Sequence, residues 1–103
     1  MNRKLDRAID KALGHDNLYP IYYSIDGNAM IHLIEDMYKR GYRVVIDLIP
    51  NQYSYLNSEH KEYKAGFSGN RDFWVDAYNI SLPAAVALAA YQALTGKEWQ
   101  DEQ

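Results

Sequence analysis

Asp47 and Asp76 are the only carboxylates set among apolar neighbours in segments that read as strands, and a carboxylate pair brought together in a sheet can work as acid and base. Lys64 falls where a hairpin would set it against Asp76, so structural pairing is the stronger expectation for that carboxylate. The three histidines, His15, His32 and His60, fall in a linker, a helix and a strand, at no metal-ligand spacing from one another. Ser24 and Ser81 precede helical segments as caps, while Ser54, Ser58 and Ser68 stand in no nucleophile-elbow context. No triad can be assembled from them. Gly66 and Gly69 make neither a dinucleotide fingerprint nor a phosphate loop. The reading is therefore of a non-enzyme, with no catalytic residue, no metal and no cofactor.

The residue type in excess is aromatic. Ten tyrosines stand in 103 residues, and a tyrosine offers a flat ring and a hydroxyl at small entropic cost, which suits base stacking or a protein interface. Tyr22 and Tyr23 precede the second helix, Tyr53 and Tyr55 fall in a middle loop, and Trp74 falls on a strand. With Arg43 and Arg71 they form the expected ligand-binding set, rings for a base and guanidinium groups for an anion. The same rings also suit the edge of a small core, and the same charges a solvated surface.

Positioning these residues takes six elements. Leu5, Ala8, Ile9, Ala12 and Leu13 make one apolar stripe of a first helix over 3–13, which Gly14 can end. Segment 15–23, with Pro20, reads as an extended linker. Ser24 or Asp26 can cap a second helix carrying Met30, Leu33, Ile34, Met37 and Tyr38, and Gly41 ends it. Residues 42–49 are apolar on both strand faces, as in a strand at the middle of a sheet covered on two sides, and Pro50 should terminate it. Strands over 59–67 and 73–78 follow, joined by SGNRD. The register sets Phe67 opposite Phe73, Trp74 opposite the bare Gly66, and Lys64 opposite Asp76.

Ser81 caps a last helix with Pro83 in its first turn, running to Thr95 before Gly96. From 81 to 94 it has no charge, so no face is obviously wet. Either the domain covers it on two sides or a second subunit does. A homo-oligomer interface is expected through Leu82, Val86, Leu88, Ala89 and Tyr91. The expected fold class is α+β, a three-stranded antiparallel sheet layered between helices in the order α-α-β-β-β-α. It makes a single domain over 1–103: N-terminal helix and linker over 1–18, sandwich core over 19–96, tail over 97–103.

The chain has no cysteine and a net charge of −3. The first points to the cytosol, and the second argues against a long nucleic acid as partner. The N-terminal residues alternate charge with apolar positions, unlike a signal peptide, and the longest apolar run is too short to span a bilayer.

YSIDGNAMIHLIEDMYKRGY resembles the capped helix and following Gly-aromatic step of the phage ABA sandwich domain, a family of small bacteriophage and prophage proteins. YNISLPAAVALAAYQALTG is similar to that family's closing helix, and FWVDAY to its aromatic last strand. The resemblance covers roughly residues 19 to 96 and departs from the family at 51–62, which is longer and more polar. It implies a phage accessory binding protein acting in a bacterial host cytoplasm, expected to sequester a host nucleotide immune signal. The alternative is an adaptor that binds a host or phage polypeptide through exposed tyrosines.

Overall fold

A computed structural model describes residues 3–15, 21–50, 61–69 and 73–100. Its elements are α1 (Arg3–Leu13), α2 (Gly27–Lys39), β1 (Arg43–Pro50), β2 (Lys61–Ser68), β3 (Trp74–Asn79) and α3 (Leu82–Thr95). The α+β class and the order α-α-β-β-β-α are those expected from the sequence.

Each helix forms where its apolar spacing demands and stops where its ends are capped. Leu5, Ile9 and Leu13 bury one stripe of α1 in the same core as the rest of the chain, although the helix precedes the segment read as the sandwich core. Asp26 caps α2, its carboxylate accepting the Asn28 N–H at 2.8 Å, while Ser24 serves elsewhere. The helix ends in a Schellman motif: the Gly41 N–H donates to the Tyr38 carbonyl and the Tyr42 N–H to the Met37 carbonyl, with Gly41 at φ 96°. That turn needs glycine, because a Cβ is strained at such a φ. Ser81 stands at the N-cap position of α3 but makes no side-chain capping bond. The Asn79 carboxamide instead accepts the Ser81 N–H at 3.0 Å.

The sheet is antiparallel in the order β1-β2-β3. The β2–β3 register differs from the expected one by two residues: Phe67 pairs with Val75, Gly66 with Asp76 and Lys64 with Tyr78. A shift of two keeps every side chain on its own face, so the apolar face was right and the partners were wrong. Five residues still separate the last paired positions, Ser68 and Trp74.

All three helices lie on one side of the sheet. Ala65, Phe67 and Val75 point into a core shared with α3, and Val44 faces α2 on that side. α3 runs between the sheet and α1, with α2 beside it over β1. Among the described residues no element covers the other face, which they leave open. β1 is correspondingly an exposed edge strand, not a covered central one.

This layering answers the question α3 posed. The chain covers the helix on both sides by itself: Val86, Ala87, Ala89 and Ala90 have no exposed surface, and small side chains let the sheet and α1 approach closely. Val86 and Ala89 therefore cannot reach a second subunit, while Leu82, Leu88 and Tyr91 are partly buried against the same core. The wet face was missing because the helix is internal. No described helix is long and apolar enough to cross a membrane.

Candidate functional site

The uncovered sheet face collects the exposed aromatic and charged residues of the strands. Alternation along β1, β2 and β3 puts three cross-strand rows on it: Arg43, Ser68 and Trp74; Val45, Gly66 and Asp76; Asp47, Lys64 and Tyr78. Trp74 is 45% exposed and Tyr78 48%. Two large rings on an open sheet are surface that folding has left unburied.

The Trp74 ring is nevertheless fixed in place. Its indole lies over Gly66, where an added Cβ would come within 2.7 Å of Trp74 Cζ2, and its Nε1 donates to Asp76 Oδ2 at 3.0 Å. Lys64 Nζ stands 3.9 Å from the same carboxylate oxygen. The pairs that suggested a register, Trp74 with Gly66 and Lys64 with Asp76, thus exist as diagonal neighbours in a different one. A ring lying on glycine and hydrogen-bonded at its edge is pre-organised for contact, because less side-chain freedom is lost on binding.

The electrostatics of this face oppose a strongly anionic ligand. Arg43 and Lys64 share it with Asp47, Glu62 and Asp76, so acidic groups outnumber basic ones. Asp47 and Asp76 do share the face, but they sit on its two outer strands with Lys64 between them. The two carboxylates are not cross-strand neighbours.

The expected ligand set does not assemble at one place. Arg43 and Trp74 stand at opposite ends of one row, two strand spacings or roughly 10 Å apart. Tyr23 is buried on the helical side, its hydroxyl donating to Asp10 Oδ1 at 2.6 Å, and burial together with that carboxylate pushes the phenol well above its usual pKa. At 3% exposed, it offers almost no surface and stands apart from the open sheet face. Tyr22, half-buried, precedes it in the loop leading to α2, and its carbonyl accepts the Asp26 N–H at 2.9 Å. Tyr53, Tyr55 and Arg71 lie outside the described residues. Tyr78 was missed by sequence reading; its position two residues after Asp76 on the same face was the available signal.

A second polar cluster lies between α1 and α2, beside a depression of about 270 Å³ lined by His15, Ile21, Tyr23, His32, Leu33 and Asp36. His15 Nε2 is 2.7 Å from Asp36 Oδ2, Arg40 Nε donates to Asp36 Oδ1 at 3.2 Å, and the Arg40 guanidinium also donates to the Leu13 carbonyl. Partial burial raises the Asp36 pKa, but the His15 and Arg40 hydrogen bonds outweigh it and hold the carboxyl below its usual range. Asp6, buried on α1, accepts the Ser24 N–H at 3.0 Å and its hydroxyl at 3.1 Å. Burial lifts its pKa more than those bonds lower it. These groups tie the start of α1 to the loop before α2 through Asp6 and Ser24, and the end of α1 to the last turns of α2 through Leu13, His15, Asp36 and Arg40, and each is engaged with a neighbour. Among the described residues no three His, Cys, Asp or Glu stand together as a metal site would require. In comparisons with known proteins the chain matches no family model, no curated protein and no solved structure.

Proposed function

We propose that the protein is a non-enzymatic accessory binding protein of bacteriophage type, which holds a polypeptide of its host or its phage against the open sheet face. The observation that carries this reading is the pair of large rings, Trp74 and Tyr78, left about half exposed on one face of β3, one of them locked by Gly66 and Asp76. Tryptophan, tyrosine and arginine are the side chains on which protein interfaces concentrate their affinity, and Arg43 completes that trio here. The mixed charge around them suits a polar rim better than a phosphate pocket. Loss of Trp74 and Tyr78 together, by substitution with alanine, weakens a purified and reconstituted partner complex by at least about tenfold while leaving the thermal melt unchanged. Equal affinity of the double variant overturns the reading.

One observation favours the nucleotide-sequestering reading as a second. Arg43 and Trp74 share a row at a separation that a base and a phosphate of one nucleotide can span. Isothermal titration against cyclic dinucleotides and ADP-ribose derivatives decides it: binding tighter than about 10 μM that Trp74→Ala removes supports a nucleotide site, and no binding across the panel ends that reading.

A further inference from the structure

β1 is the most apolar strand, yet it lies at the edge. Val45 is 42% exposed on the open face, and Ile46 at 39% and Leu48 at 54% are exposed on the opposite one. A groove of about 370 Å³ runs beside it, between β1 and α2, lined by Ile34, Glu35, Tyr38, Lys39, Tyr42 and Val44. Edge strands are normally blunted by charge, bulge or proline; β1 ends on Pro50 and carries two charges of opposite sign, Arg43 and Asp47, which a matching edge can neutralise. An apolar, ladder-forming edge of eight residues is built to pair.

We infer that the partner is a second copy of this chain, with β1 pairing antiparallel to β1 about a twofold axis at Val45. The sequence of the strand is complementary to itself in that one register. Arg43 comes opposite Asp47 of the partner subunit, Val44 opposite Ile46 of the partner subunit, Val45 opposite its own equivalent, and Tyr42 opposite Leu48 of the partner subunit. Neither Arg43 nor Asp47 has an ion-pair partner among the described residues, because Lys64, which faces Asp47 across β1–β2, is directed to Asp76. Moving the axis to Val44 or Ile46 sets Arg43 against an apolar side chain and strands both charges. A twofold at Val45 keeps all helices on one side and makes a six-stranded sheet with one continuous open face. It also brings the two α2 helices together over the groove, covering Ile46 and Leu48. β1 thereby becomes a central strand of the sheet, covered on its helix-facing side, where Ile46 and Leu48 lie.

The full-length chain tests this without depending on any ligand of the open face. Light scattering at micromolar concentration gives twice the 11.9 kDa of one chain. Val45→Lys, at a half-exposed position, sets two ammonium groups against each other at the axis and yields a folded monomer by circular dichroism. Arg43→Asp raises the dimer dissociation constant by at least about tenfold, and adding Asp47→Arg restores the dimer. Because the chain has no cysteine, Val45→Cys gives a clean readout: directly opposed Cα atoms stand about 4.5–5.5 Å apart, within disulfide reach, so mild oxidation crosslinks it while Ile80→Cys stays uncrosslinked. A native chain that remains a monomer at about 100 μM overturns the inference, as does a dimer indifferent to both Val45→Lys and the Arg43 charge reversal.

Discussion

At the scale of single residues, Gly66 and Trp74 act as one unit, since the glycine gives the indole its seat and Asp76 holds its edge. Gly66→Ala therefore displaces the ring at a stability cost of about 1 kcal/mol, and in a Trp99→Phe background the Trp74 emission shifts to the red. An unshifted spectrum contradicts the seating. Two aspartates give the pH dependence of stability opposite signs. The Asp36 carboxyl is held below its usual range, so it contributes stability above the unfolded value of about 3.9 that is lost as pH falls through the folded one. Asp6 is raised, so its contribution is fully present below that unfolded value and is lost as pH rises through the folded one. In urea titrations from acid to neutral pH, Asp36→Asn loses stability relative to native as pH rises, and Asp6→Asn gains it.

At the scale of elements, α3 is an internal wedge. Ala89→Leu overpacks it and costs about 1–3 kcal/mol, read as a lower melting temperature, whereas Ile80→Ser at an exposed position changes it little. A change of oligomeric mass in Ala89→Leu, with the melt intact, would return α3 to the surface. The helices were legible because their stripes, caps and terminal glycines agree with one another: Leu5, Ile9 and Leu13, the Asp26 cap, and Gly41 and Gly96 all fall where the chain uses them. The hairpin was half legible. Its faces follow from alternation, but Trp74 on Gly66 and Lys64 near Asp76 arise in two registers related by a shift of two, so those pairs could not choose between them. The position of β1 was illegible for another reason: two apolar faces state that a strand is to be covered, not by which chain.

At the scale of the whole molecule, the helices lie on one side of the sheet and the described residues leave the other side open, which on the proposed reading separates stability from recognition. The core comes from α3 and its neighbours. The proposed recognition set was only partly visible in the sequence: of the rings and guanidinium groups it offered, Arg43 and Trp74 lie on the open face, whereas the Tyr23 ring is spent on the α1 seam. Tyrosine counts register an excess of rings without saying which ones folding buries. If the open face is the working surface, photo-crosslinking from it inside a bacterial host captures what it holds. A photoreactive phenylalanine derivative replacing Tyr78 should capture one defined polypeptide, the same derivative replacing Ile31 on α2 should not, and Trp74→Ala should abolish the adduct. Equal adducts from both positions, or a Tyr78-position adduct that survives Trp74→Ala, would contradict it.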